Sequence, residues 1–522
     1  MAPTLTAAEV RARLTSGAEI AFLDVREEGP YSRAQPLFAV NLPLGRIEER
    51  VAALLPRHSV PVALFDDGDG LAERAAARLE ALGYGGVSLV AGGLAGWRAA
   101  GGELFRDVGV VSKAFGEWVE AHRHTPMIDA TDLAARVAAG EDVRIFDARP
   151  FEEYCVMTVP GAVNCPGAEL VRRVTALDLP SETLVVVNCA GRTRSLIGAQ
   201  SLINAGLPNP VRALRNGTIG WTLAGLSLEL GATRRVSVPK DTAQALAAAR
   251  RVAERAGVRF IDGAALARLE AEADARTLYR FDVRAPEDYL RGHAASFTPV
   301  PGGQLVQATE EYVGVRGARL VLADGDGVAA AMTASWLRQM GWDEVSVLAE
   351  GLAGLIDSGG LWRPLQAAPA PEVDEIDSAE LAALLAEGAA GVADLALSPL
   401  YRLGHIPGAW FAARWRLARD LAALPAHAVL VLTSPDGVLA RWAAVDAGRP
   451  VRVLAGGTAA WSASGRPLER NVGAYASEPD DVYRRPYEGT DNSEAAMRGY
   501  IEWELGLVDQ IRRDGTAAFR PL

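Results

Sequence analysis

Two short phrases each occur four times along the 522 residues, and this repetition limits the fold more than any other feature. The first reads Phe22-Leu-Asp-Val-Arg-Glu27, Ile145-Phe-Asp-Ala-Arg-Pro150, Arg280-Phe-Asp-Val-Arg-Ala285 and, in degraded form, Val392-Ala-Asp-Leu-Ala396. The second reads Gly92-Gly-Leu-Ala-Gly-Trp97, Asn216-Gly-Thr-Ile-Gly-Trp221, Glu350-Gly-Leu-Ala-Gly-Leu355 and Gly456-Gly-Thr-Ala-Ala-Trp461. The aspartates of the first phrase (24, 147, 282 and 394) are separated by 123, 135 and 112 residues. Solenoid repeats run roughly 20–50 residues, so steps of this size are whole domains. The expected organisation is four copies of one domain, at residues 1–108, 125–232, 240–366 and 373–470, followed by a helical extension at 471–522.

Inside each copy, short apolar strands alternate with helical patterns. In the first copy, residues 20–23, 60–65 and 87–90 read as strands, and residues 72–82 read as a helix stopped by Gly83. Such alternation predicts an α/β fold, a mostly parallel sheet with helices on both faces. Ligands in these sheets bind beyond the carboxyl ends of the strands.

One strand end carries chemistry. Residues 184–187 form a β-branched run that stops at Asn188-Cys189, and a helical pattern starts at Ser195 and ends before Gly206. Between them lies Cys189-Ala-Gly-Arg-Thr-Arg194. Backbone N–H groups curling round Cys189, the helix N-terminus, and the cations of Arg192 and Arg194 all favour thiolate, which predicts a lowered pKa and a nucleophile. The plain alternative is a small buried hydrophobe, the commonest role of a free cysteine; the loop and its two arginines favour the reactive reading. Tyrosine phosphatases use a similar cradle with a longer loop. A shorter loop makes a smaller nest, suited to a sulfur atom.

At this point the chain resembles the rhodanese sulfurtransferases. His405-Ile-Pro-Gly-Ala409 and Val159-Pro-Gly-Ala-Val-Asn164 resemble that family's turn between early strands, and the likeness extends to all four copies. The resemblance implies four tandem rhodanese-like domains and a sulfurtransferase that moves a sulfane sulfur from thiosulfate or a small persulfide to a thiophilic acceptor. It makes Cys189 the catalytic residue, carrying a persulfide, with Ala190, Gly191, Arg192, Thr193, Arg194 and Ser195 binding substrate. Asp147 and Arg149 are expected to form a structural ion pair near the site, because the phrase persists in other copies. No cofactor or metal is implied. Aligning the buried strands places Asp66, Asp324 and Ser434 opposite Cys189, and no arginine closes those loops, so only the second copy is expected to turn over. The alternative is a persulfide carrier or sensor that hands sulfur to a dedicated partner.

The rest of the chain bounds the setting. A net charge of −12 argues against nucleic acid or an anionic membrane as partner. Three cysteines, at 155, 165 and 189, make no disulfide framework, and neither a signal peptide nor a run of the ~20 apolar residues needed to span a bilayer is evident. The chain is therefore expected to be cytoplasmic. Cys155 and Cys165 read as space-fillers, Trp97, Trp221 and Trp461 as core anchors, and His122 and His124 as too sparse for a metal site. Walker, Gly-X-Gly-X-X-Gly and Cys-X-X-Cys motifs are missing. Residues 111–126 read as an amphipathic segment packed between domains by Phe115 and Trp118, residues 367–372 as a linker, and the helical run 493–513 as docking on a domain in preference to a dimer contact. The expected partners are small sulfur donors and acceptors, with a homodimer or a protein acceptor left open.

Overall fold

The computed structural model describes residues 2–357, 359–360, 365, 367–471 and 473–522. The expected limits at residues 1 and 366 lie outside them. Four sheets follow one another along the chain, and their strand orders are equivalent. In the second unit the strands are β1 (Met127–Ile128), β2 (Val143–Asp147), β3 (Val163–Asn164), β4 (Leu184–Asn188) and β5 (Val211–Leu214). Their spatial order is β1-β5-β4-β2-β3, with every neighbouring pair parallel. Central β4 is buried along its whole length, which is why it reads as an unbroken apolar run.

Several boundaries differ from expectation. The first-unit strands are Ala21–Asp24 and Val62–Phe65, because Ile20 instead forms an antiparallel bridge with Arg316 of the third unit. The fourth sheet gains a sixth strand, Ala474–Tyr475, parallel to Trp410–Phe411, so the chain leaves this unit later than residue 470. The Tyr475 ring packs against Tyr401 and Phe411 at 5.5 and 5.7 Å, and that apolar contact holds the extra strand.

The units share a core. Helix α1 (Val110–Arg123) lies between the first two units, and its Phe115 packs edge-on against Trp336 of the third unit and Phe519 of the C-terminus. One apolar cluster runs through the first three units and the C-terminal segment. Trp97, Trp221 and Trp461 are all buried, and each indole N–H donates to a carbonyl six residues on, at Glu103, Ser227 and Pro467. Among the described residues, no helix is long and apolar enough to cross a membrane.

In the second unit, β2 leads into α2 (Phe151–Val156), β4 into α3 (Thr193–Ala205) and β5 into α4 (Gly217–Leu223). The C-terminal run is two helices, α5 (Glu494–Leu505) and α6 (Leu507–Asp514), separated at Gly506. Ser493 caps α5 by accepting from the Ala496 N–H.

Candidate active site

Cys189 stands at the carboxyl end of β4, and the start of α4 holds its backbone. Gly217 has φ +54°, and a Cβ there would come within 2.2 Å of the Cys189 carbonyl oxygen, so only glycine fits. The close approach lets the Thr218 N–H donate to the Cys189 carbonyl at 2.9 Å and the Ile219 N–H to that of Ala190 at 3.0 Å. The same bond recurs in every unit: Leu94 to Asp66, Leu352 to Asp324 and Thr458 to Ser434, at 2.9, 3.0 and 3.0 Å. These four positions are therefore structurally equivalent.

A second feature recurs with them. The backbone N–H six residues further on points back at the side chain at that position. Ala72 N–H donates to Asp66 Oδ2, Ala330 N–H to Asp324 Oδ2 and Ala440 N–H to Ser434 Oγ, at 3.0, 3.0 and 3.3 Å. In the second unit the equivalent N–H is that of Ser195, and Ser195 favours the Cys189 thiolate. The nest is common to all four units; its occupant differs.

The electrostatics correct one expectation. Cys189 is only 2% exposed, and burial pushes its thiol above the ordinary value. Arg194 and Ser195 oppose that shift, and Asp147 adds to it. A count of donors and cations alone predicts a lowered pKa because it omits desolvation, which is the larger effect here.

The loop side chains point in different directions. Arg194 makes two bonds to the Glu153 carboxylate on α2, at 2.9 and 2.8 Å, and its charge also acts on Cys189. Arg192, expected to bind substrate, is buried instead, with its Nε and Nη2 on Glu117 of α1 at 2.7 and 2.8 Å and its Nη1 on Asn216 at 3.0 Å. A buried arginine needs such a partner, and Glu117 supplies it from a neighbouring helix. Helix α3 begins at Thr193, two residues earlier than the pattern suggests, so Thr193 and Arg194 lie in its first turn. Thr193 faces away from the thiol, packing on Gly116 and donating to Glu504 Oε1 at 3.4 Å. Ser195 Oγ donates to the Arg192 carbonyl at 2.8 Å, tightening the loop.

Beneath the loop, the Asp147 carboxylate takes Arg149 Nε at 2.9 Å and Nη2 at 2.7 Å, together with Thr158 Oγ1 and Asn188 Nδ2 at 2.7 and 2.9 Å. Equivalent pairs, Asp24–Arg26 and Asp282–Arg284, occupy the first and third units. Cys165 is buried and its thiol is pushed well up by that burial; Cys155 is half-buried beside the core of the unit. Among the described residues, no cluster of His, Cys, Asp and Glu is arranged to hold a metal ion.

The sequence reading missed what covers the loop. Gly191 lies under Tyr500 and Glu504 of α5: a Cβ on it would sit 3.1 Å from the Tyr500 ring and 3.3 Å from Glu504 Oε2. Tyr500, Trp503 and Glu504 share one face of that helix by their spacing, which is the only local signal of a contact.

Comparison with known proteins agrees with this architecture. Residues 6–100, 129–224 and 265–357 match the family model of the rhodanese-like domain. A solved thiosulfate sulfurtransferase from Pseudomonas aeruginosa is 51% identical, with a TM-score of 0.97 over 100% of both chains. The HTH-type transcriptional regulator Rv0324 of Mycobacterium tuberculosis is 35% identical over 105 residues, 20% of this chain and 45% of the regulator. The putative thiosulfate sulfurtransferase SseB of the same organism is 31% identical over 125 residues, 22% of this chain and 43% of that protein. The chain thus spans less than half the length of these curated relatives. On the three matched segments and the full-length structural likeness, the chain belongs to the rhodanese-like family.

Proposed function

We propose that this chain is a sulfurtransferase whose second unit alone turns over, carrying a sulfane sulfur as a Cys189 persulfide. One observation carries the reading: four equivalent nests exist, and only the second holds a thiol with an arginine at the following helix start. The likeness to a thiosulfate sulfurtransferase over the whole chain supports the reaction class and thiosulfate as a donor. The cysteines are free thiols, which suits a reducing compartment.

The Cys189 thiol first loses its proton; Ser195 and Arg194 stabilise the resulting thiolate. The thiolate attacks the outer sulfur of thiosulfate. The donor S–S bond breaks with its electron pair leaving on sulfite, and a new S–S bond forms at Cys189. The persulfide anion keeps the same nest contacts. An acceptor such as cyanide then takes the terminal sulfur, and the thiolate returns. In the first and third units the nest is already filled by a carboxylate, which offers no sulfur chemistry. Those units and the fourth act as packing partners: Arg172 of the second unit reaches Asp326 in the third-unit loop at 2.6 Å, and Arg414 of the fourth meets Glu48 of the first at 2.6 Å.

The test is thiocyanate formation from thiosulfate and from glutathione persulfide, in the wild type and in Cys189→Ser. Turnover lost in the variant is the expected result; turnover retained would move the chemistry to another residue. The near-complete burial of Cys189 also favours a second reading, a carrier serving a dedicated partner. That reading predicts one sulfur atom on Cys189 by mass spectrometry without sustained turnover on free small molecules.

A further inference from the structure

The C-terminal segment places unused polar chemistry next to the sulfur-transfer loop. Helix α5 rests directly on Gly191 through Tyr500 and Glu504, and the Tyr500 hydroxyl donates to Glu504 Oε1 at 2.9 Å. Behind this contact lies Lys113 of α1, fully buried, with Nζ bonded to Asp107 Oδ1 at 2.5 Å and to the Val108 carbonyl at 2.7 Å. Three rings of the C-terminal segment surround that ammonium: the centroids of Tyr487, Tyr500 and Trp503 lie 5.7, 5.5 and 5.5 Å away. Tyr487 packs edge-on against Tyr500 at 5.3 Å, which ties its position to the helix that covers the loop.

Tyr487 is the member of this group with work left to do. Its hydroxyl has no hydrogen-bond partner among the described residues, whereas Tyr483 donates to Asp107 and Tyr500 to Glu504. The ring packs on the apolar cluster of Ile219 and Tyr500, and the Ile219 N–H holds the Ala190 carbonyl beside Cys189. The phenol lies in the mixed field of Lys113, Arg485, Arg194 and Asp107, and Arg194 is also the cation that acts on Cys189. Burial keeps the phenol protonated, so it is a donor. The three cations are already matched by Asp107, Glu488 and Glu153. What stands open is therefore one neutral hydrogen-bond donor beside three ion-paired cations, a setting that suits an anionic oxygen.

We propose, on the sulfurtransferase reading above, that the Tyr487 hydroxyl, backed by Lys113 and Arg485, binds the anionic oxygen end of the sulfur donor while Cys189 attacks its sulfane sulfur. The C-terminal segment is then part of the active site, and a specificity element that the rhodanese units do not supply.

Steady-state kinetics test this with cyanide as acceptor and three donors: thiosulfate, glutathione persulfide and cysteamine persulfide. The last has no anionic oxygen. Tyr487→Phe should raise KM for thiosulfate roughly tenfold with kcat changed less than about threefold, the loss of one charge-assisted hydrogen bond. Its KM for cysteamine persulfide should move less than about twofold. A rise for glutathione persulfide equal to that for thiosulfate would show that carboxylates use the same donor; a rise for thiosulfate alone would restrict the subsite to sulfonates. Arg485→Gln should shift KM in the same direction by a smaller factor, and it decides the matter if Tyr487→Phe does not fold. Unchanged KM values, or equal losses for all three donors, would overturn the proposal. Neither result touches the role of Cys189: only turnover surviving in Cys189→Ser would defeat the sulfurtransferase reading itself.

Discussion

The second and third units build the same loop and fill it differently. In both, a parallel strand ends at a residue whose carbonyl is held by the glycine turn that follows the next strand, and in both the sixth N–H onward points back at that residue. The third unit places the Asp324 carboxylate there, accepting from Gly327 and Ala330 N–H at 2.5 and 3.0 Å. The second places a thiol, and where the third has Ala329 it has Arg194. Fold and nest are thus common property, while the two side chains that carry the proposed chemistry are present in the second unit and absent from the third. An anion nest does not make a nucleophile. Its N–H donors favour whichever anion the sequence provides, against a burial that disfavours it.

The comparison breaks most sharply on activity. Cys189→Ser should lower thiocyanate formation by more than about a thousandfold, while Asp324→Asn in the equivalent nest should leave it within about twofold. Comparable losses from both would mean the third unit takes part in turnover. The ion pairs beneath the loops give the next largest effect. Asp147→Ala and Asp24→Ala each strand a buried arginine and should each cost about 3–5 kcal/mol in denaturant unfolding. Only Asp147→Ala should also reduce transfer, since Asp147 holds Asn188, the residue before Cys189. A smaller effect isolates Arg194. Its cation favours the Cys189 thiolate, so Arg194→Gln should move the midpoint of iodoacetamide alkylation at Cys189 to higher pH, by about one unit. A midpoint that stays put would show that Ser195 alone opposes the effect of burial.

The features legible in the sequence were those set by local geometry. The glycine of the second phrase must adopt a positive φ against the loop carbonyl; Gly93, Gly217, Gly351 and Gly457 lie between 53° and 63°. A requirement that strict leaves a trace in every copy, and the four units follow from it. Cys189 was legible for the same reason, as the residue where a buried strand stops. The fate of the arginines was not. Arg192 is claimed by Glu117 and Thr193 by Glu504, residues 75 and 311 positions away, and no local pattern encodes such a pairing. The thiol pKa is not legible locally, because the donors round Cys189 are near in sequence whereas its burial depends on what packs over the loop. The C-terminal segment was visible as a helix with a place to dock, but its seat on Gly191 depends on tertiary packing.

The smallest expected effect concerns the cost of filling a nest with a carboxylate. Burial pushes the Asp324 carboxyl up to about 6, against the lowering influence of the Ala330 and Gly327 N–H groups. Its folded value is above its unfolded one, so the stability it contributes is complete at pH values below the unfolded pKa and is lost as pH rises through 6. Between pH 5 and pH 8 the wild type should therefore lose stability that Asp324→Asn, which has no proton to release, retains. The difference in slope should amount to about 1–2 kcal/mol, read as the change in denaturant midpoint at the two pH values. Parallel curves would mean that the two N–H donors compensate the carboxylate fully. In that case an aspartate in this nest costs nothing, and the proposed silence of the third unit rests on the missing sulfur alone.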